Sequence, residues 1–250
     1  MSRVPRLRRV TPVLGALVLA GCGNLGTPDS ASREGDEIVA LWRPFVIIAL
    51  CIAALIWGLV GWSVIRYRRR DDSIPGQRQS NIPLEVVYTG VPIVIVAVFF
   101  VFTLVVQDRV VGASADPDLT VDVTGFQWSW QFDYEDEGIT VTGLPDDPPE
   151  LVVPVDSTVR LNLRTEDVIH SIWVPEFLGK LDLIPRVDNE LDVEVPEEGT
   201  WTGRCAEFCG LDHWRMSFTV RAVRQDEFEA WLEEAAAAEQ PIVGTLEAGS

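Results

Sequence analysis

The sequence predicts a two-part membrane protein: an N-terminal transmembrane α-helical hairpin of two helices, carrying an exported C-terminal β-sandwich or barrel. Three observations predict it. Two stretches without a charge, Pro44–Ile65 and Val86–Val106, are 22 and 21 residues long, each enough to cross about 30 Å of hydrocarbon. Beyond them the composition inverts. Residues 107–250 hold 9 basic and 31 acidic side chains, a net of −22 in a chain whose total is −18. That acidic part is divided into short alternating apolar segments separated by turn residues, the pattern of an all-β domain. Its charge excludes a nucleic-acid partner, because phosphate binding requires a basic face.

The elements follow in chain order. Arg3, Arg6, Arg8 and Arg9 precede an apolar run, Val10–Ala20, which reads as a secretory signal over residues 1–21, too short to span as a folded helix. The quartet Leu19-Ala20-Gly21-Cys22 resembles a bacterial lipoprotein processing site, which makes Cys22 a lipidated first residue; an ordinary cleaved signal with an incidental cysteine is the alternative. The hairpin is expected over residues 41–106. Its connecting loop opens with Arg66, Arg68, Arg69 and Arg70 and adds Arg78, so the positive-inside rule puts that loop in the cytoplasm and both termini outside. Trp42, Trp57, Trp62 and Tyr67 serve as interfacial or packing aromatics, and Cys51 is a small mid-span filler.

After a polar linker over residues 112–118, the β domain is expected over residues 116–224. Phe126, Trp128, Trp130, Phe132 and Tyr134 alternate with polar residues, which predicts one strand over 126–134 with a single aromatic face. Further strands are predicted at 119–123, 151–155, 158–163, 168–174, 190–195, 200–204 and 217–223. A helix follows over 226–239, its packing stripe formed by Phe228, Trp231 and Leu232. The last ten residues read as a frayed tail, so 225–250 form a helix and tail outside the sandwich.

Scarcity locates the chemistry. The chain has two histidines, two methionines and four cysteines, and both histidines, the one internal methionine and two of the cysteines fall between His170 and Met216. The spacing Cys205-x3-Cys209-x3-His213-x2-Met216 suits a tight loop on which side chains converge, with His170 reaching in from its own strand. Soft sulfur with imidazole is a copper set. A single blue-type copper needs one cysteine, two histidines and a weak methionine, leaving one cysteine too many here. Two bridging thiolates instead suit a copper pair, with one histidine per metal and Met216 and a backbone carbonyl as weak outer ligands. Three plainer readings stand beside it. A Cys205–Cys209 disulfide suits an oxidising compartment but leaves both histidines and Met216 unexplained. A structural zinc of the two-cysteine, two-histidine type leaves Met216 idle. His170 and His213 could also be ordinary core or surface histidines.

The block from Gly203 through Cys205, Glu207, Cys209, Gly210 and His213 to Met216 resembles the binuclear copper (CuA) loop of the cytochrome c oxidase subunit II family. Thr165–Ser171 resembles that family's first histidine motif, Gly125-Phe-Gln127-Trp128-Ser-Trp130 its aromatic strand, and Glu85, Tyr88, Thr89 and Pro92 the start of its second membrane helix. The resemblance implies a cupredoxin β domain on the hairpin. It also implies a binuclear copper centre held by His170, Cys205, the Glu207 carbonyl, Cys209, His213 and Met216, and a magnesium ion shared with subunit I through the Glu207 carboxylate, a hard ligand for a hard cation. Trp128 matches the aromatic through which electrons enter, and Asp133, Glu135, Asp136, Glu137, Glu166 and Asp167 offer a docking face for a basic cytochrome. The implied activity is that of a cytochrome-c oxidase, an oxidoreductase complex in the bacterial cytoplasmic membrane. In it this chain receives electrons from a c-type cytochrome and passes them to haem in subunit I, beside subunit III.

Departures from the family pattern are Ser129 and Phe126, where an aromatic and a histidine are common, and the lack of a glycine after Pro185. No Cys-x-x-Cys-His motif occurs, so no fused c-type haem is expected. A quinol-oxidising relative would lack the metal ligands, and two histidines cannot build the second copper cluster of a nitrous oxide reductase. An exported copper-binding or assembly protein with the same β domain is the alternative reading.

Overall fold

The computed structural model describes residues 25–245 except 73 and 75; the signal segment 1–21, the lipidation candidate Cys22 and residues 246–250 lie outside the described residues. Two long helices come first, α1 (Arg33–Arg66) and α2 (Ile82–Val111). Both are long and apolar enough to cross a membrane, and the side chains of their apolar windows are not covered by the rest of the chain. They meet through the stacked rings of Phe45 and Phe99, with centroids 4.1 Å apart. Both run past the expected hairpin limits of 41 and 106. At 1.5 Å per residue, the 34 residues of α1 extend about 50 Å, well beyond about 30 Å of hydrocarbon. The extra turns of α1 are polar. Ser32 caps them by accepting a hydrogen bond from the Gly35 amide at 3.0 Å, and Glu34 and Asp36 in the first turn complement the helix dipole.

The C-terminal domain is two sheets packed face to face. One has the order β11-β3-β2-β1-β5-β8 and the other β4-β10-β9-β6-β7. The first contains β1 (Leu119–Phe126), β2 (Ser129–Tyr134), β3 (Ile139–Thr142), β5 (Thr158–Thr165), β8 (Asn189–Glu194) and β11 (Ile242–Val243). The second contains β4 (Glu150–Pro154), β6 (His170–Trp173), β7 (Lys180–Leu183), β9 (Gly199–Cys205) and β10 (Ser217–Val223). Alternation buries Leu119, Val121 and Val123 of β1 and Val159, Leu161 and Leu163 of β5 in the shared core. Helix α3 (Gln225–Ala237) covers one end with Phe228, Trp231 and Ala235; Leu232 is only partly buried.

Two expectations are corrected. The aromatic run 126–134 is not one strand: Phe126 ends β1 and pairs with Ser129 at the start of β2, so Gln127 and Trp128 form a tight hairpin turn. The period of two survives because both arms of a hairpin keep it, and Trp130, Phe132 and Tyr134 are fully buried as expected. Nor do the last ten residues fray throughout. Ile242 is buried, β11 pairs in parallel with β3, and the Gln240 side chain bonds the Ala235 carbonyl and the Thr140 amide. The strands β3, β7 and β11 have four, four and two residues, too short to stand out from periodicity.

The two sheets are tied by Tyr134. Its hydroxyl donates to the Val152 carbonyl at 2.8 Å and accepts from the Val152 amide at 2.9 Å, taking up the outward backbone groups of the edge strand β4. Burial drives the phenol well above its usual range, so it stays protonated. Tyr134→Phe would leave both backbone groups buried without a partner, at about 1–3 kcal/mol. Urea unfolding of the full chain in detergent, followed by tryptophan fluorescence, is expected to show that loss; an unchanged midpoint would refute this role.

Candidate metal centre

The sequence folds the candidate ligands together through one wide hairpin. β9 ends at Cys205, β10 begins at Ser217, and the Cys205 amide donates to the Met216 carbonyl at 2.9 Å. The loop from Cys205 to Met216 is thereby closed at its base. On the other side of β9, Ile172 of β6 lies opposite Cys205. His170, two residues away on the same strand face, points into the same space. The Ala206 amide donates to the Ser171 carbonyl at 2.9 Å and fixes the first residue of the loop. At the far end a 3-10 turn, His213–Arg215, brings His213 back toward the sulfurs.

The resulting cluster is dense. Cys205 Sγ lies 3.9 Å from Cys209 Sγ, 3.8 Å from His170 Nδ1 and 3.2 Å from the Glu207 carbonyl oxygen. Cys209 Sγ lies 3.5 Å from His213 Nδ1 and 3.7 Å from Met216 Sδ. Both cysteines are free, and their sulfur separation is nearly twice the roughly 2.05 Å of a disulfide bond. His170, both cysteines and Met216 are buried, while His213 is half-buried and Glu207 exposed. The six candidate metal ligands thus lie together, with Glu207 bringing its carbonyl to the cluster while the residue itself is exposed.

The neighbours of the cluster orient it. The Asp167 carboxylate accepts from His170 Nε2 at 2.8 Å, from the Gln127 amide at 2.7 Å and from its neighbour Val168 at 2.6 Å. An ionised carboxylate only accepts, so the His170 proton sits on Nε2 and Nδ1 is left facing the sulfurs. Burial raises the Asp167 carboxyl, but these hydrogen bonds outweigh it and hold the group below its usual range. Asp167, grouped above with the docking acids, is still partly open to solvent, with its side chain 30% exposed, and it also holds His170 in place. Gln127, named above only as part of the aromatic motif, has a contact that the sequence does not show. Its side-chain amide donates to the Cys209 carbonyl at 2.7 Å, and Trp128 Nε1 donates to the same oxygen at 3.2 Å. Trp128 is thus half-buried against the loop.

Gly210 makes that clamp possible. It has φ +125°, and a Cβ there would stand 3.0 Å from Gln127 Nε2 and 3.1 Å from Trp128 Nε1. The two thiols are driven apart electrostatically. Burial raises Cys205, but its hydrogen bonds with His170 and nearby backbone groups prevail and bring it down to about 7. Burial, reinforced by the charge on Cys205, pushes Cys209 up to about 12. Such a pair holds one proton between two sulfurs, and a cation shared by both would displace it. Among the described residues the only group of three or more His, Cys, Asp or Glu side chains close enough to hold an ion is His170, Cys205 and Cys209.

Known proteins carry the same organisation. The family model for the transmembrane domain of cytochrome C oxidase subunit II matches residues 20–106, and that for its periplasmic domain matches residues 141–223. A probable cytochrome c oxidase subunit 2 of Streptomyces coelicolor is 37% identical over 94% of this chain and 89% of its own length. Cytochrome c oxidase subunit 2 of Mycobacterium tuberculosis is 30% identical over 93% and 83%. Among solved structures, the periplasmic domain of subunit II of cytochrome oxidase from Bradyrhizobium japonicum is 33% identical, covering 50% of this chain and 98% of its own, with a TM-score of 0.47. The chain therefore belongs to the cytochrome c oxidase subunit II family, whose members combine a transmembrane domain with a periplasmic one.

Proposed function

We propose that this chain receives electrons from a c-type cytochrome outside the bacterial cytoplasmic membrane and passes them to haem in subunit I, where oxygen is reduced to water. The observation that carries this reading is the donor set. Two thiols, two imidazole Nδ1 atoms, a thioether and a carbonyl converge on one buried point, a set that suits soft, copper-like ions and leaves zinc with an unused thioether. His170, Cys205, the Glu207 carbonyl, Cys209, His213 and Met216 would hold the metal. A copper pair held there would supply one-electron transfer.

The protein's own part is orientation and exclusion of water. Asp167 fixes the His170 tautomer, Gln127 and Trp128 hold the Cys209 carbonyl, and the packed core under Met216 and His170 keeps the interior side dry. Trp128, bonded to the loop and partly open to solvent, is the residue through which electrons would enter. The exposed Glu207 carboxylate would reach a magnesium ion shared with subunit I. Subunit III completes the proposed assembly, and the β domain and both termini would face outward with Cys22 lipidated. Proton translocation by the complex would belong to its other subunits, since the spans of this chain offer few polar groups. An exported copper-assembly protein would share the loop, but membership in the oxidase family disfavours it.

Three measurements test the reading. The full chain loaded with copper is expected to bind a pair of ions whose single unpaired electron couples equally to both nuclei in electron paramagnetic resonance; zinc selectivity or a colourless protein would reject it. Cys209→Ser should abolish that spectrum, whereas Met216→Leu should keep both metals and shift the reduction potential; equal, negligible effects would contradict the ligand assignment. Asp167→Asn, which removes the acceptor from His170, should weaken copper binding about 10–100-fold in chelator competition, and unchanged affinity would count against its orienting role.

A further inference from the structure

We propose that the arginine cluster where α1 ends is a binding site for the phosphate headgroups of anionic phospholipids. The charge distribution isolates it. Residues 66–81 hold five arginines against two aspartates, a net of +3 in a chain of −18. Elsewhere, Arg33, Arg109, Arg160, Arg164, Arg215, Arg221 and Arg224 each form an ion pair with a carboxylate, and among the described residues Arg43, Arg186 and Arg204, scattered along the chain, do not. Among the described residues of the loop only Arg69 does so, with Asp72. Arg66, Arg68, Arg70 and Arg78 form no ion pair with any described residue, and all are exposed.

Their depth is set by the sequence. The apolar stretch of α1 stops at Ile65, one residue before Arg66, and α2 resumes the hydrocarbon a few residues after Arg78. The guanidinium groups therefore stand at headgroup level whichever way the hairpin is inserted. Trp62 and Tyr67, in edge contact at 5.4 Å, mark the same boundary, and the Arg66 guanidinium lies over the Tyr67 ring at 5.7 Å. The backbone bends here into an open cavity of about 530 Å³ lined by residues 66–72 and Ile74, whose side chain is 85% exposed. A guanidinium donates to phosphate through a planar fork, and juxtamembrane basic clusters attract anionic lipid.

Two simpler roles leave part of this unexplained. Neutralising the helix dipole requires only a cation in the last turn, which Arg66 provides. Orienting the hairpin requires positive charge during insertion but no lipid retained afterwards. The test therefore reads lipid held by the folded protein. The full chain is reconstituted into phosphatidylcholine vesicles containing a minor fraction of phosphatidylglycerol, extracted in mild detergent, and its bound lipid identified by native mass spectrometry.

Phosphatidylglycerol should be retained several-fold above its share in the vesicles. Arg68→Gln with Arg70→Gln should cut that retention by at least about fivefold, the factor equivalent to about 1 kcal/mol, and leave phosphatidylcholine unchanged; the lysine pair should keep most of it. The unaltered chain gives an independent reading, because high salt should strip the anionic lipid. Retention of both lipids at the vesicle ratio, or indifference to the glutamine pair or to salt, would overturn the proposal. So would retention by the isolated chain but not by the assembled oxidase, since a partner subunit would then cover these arginines.

Discussion

The backbone hydrogen bond between Cys205 and Met216 closes the base of a wide hairpin loop, and the geometry of the metal end follows from that closure. With the loop pinned there, Cys205 is registered against Ile172, and His170 falls on the same strand face. A loop of this length free at its base would have to order its backbone at about 1–2 kcal/mol per residue. Here two strands of the sandwich hold its ends, and the Gln127–Trp128 turn holds its middle by the Cys209 carbonyl. The donor atoms are therefore arranged by the sheet before any metal arrives. A preorganised site of this kind is what low-barrier electron transfer requires, because little has to move.

Much of this was legible in the sequence, for unequal reasons. The membrane spans were read from length and lack of charge, since hydrocarbon imposes both. The ligand cluster stood out because histidine and methionine are so scarce in this chain that their co-location carries information. The aromatic run 126–134 misled, because a two-residue hairpin preserves the alternation of a continuous strand and conceals the turn. Asp167 was indistinguishable from surface acids by type. Its second tie, to the Gln127 backbone amide forty residues earlier in the chain at the β1–β2 turn, leaves no local signal. The short strands β7 and β11 owe their pairing to neighbours rather than to their own composition.

The attachment of the hairpin to the β domain is equally specific. The polar turns of α1 beyond the apolar stretch reach β8, where Glu34 accepts from the Glu194 amide at 3.2 Å and Arg33 engages Glu194 and Asp156. Ala31 donates to the Glu176 carbonyl at 2.8 Å. From the other helix, the linker residue Ser114 donates to Asp192 at 2.6 Å, and its carbonyl accepts from Arg160 at 2.7 Å. Arg109 and Glu37 join the two helices at the same level. Several short polar contacts from α1 and from the segments flanking the two helices thus tie the hairpin to the β domain, most of them at β8 and β5.

One of those contacts does a second job. β8 is the last strand of its sheet, and a bare last strand offers unpaired amides to any extended peptide that passes. The carboxylate of Glu34, sitting on the Glu194 amide, occupies one of them. The start of α1 therefore also covers part of that border, and a sandwich cut away from its helices would leave the Glu194 amide open to water or to another chain.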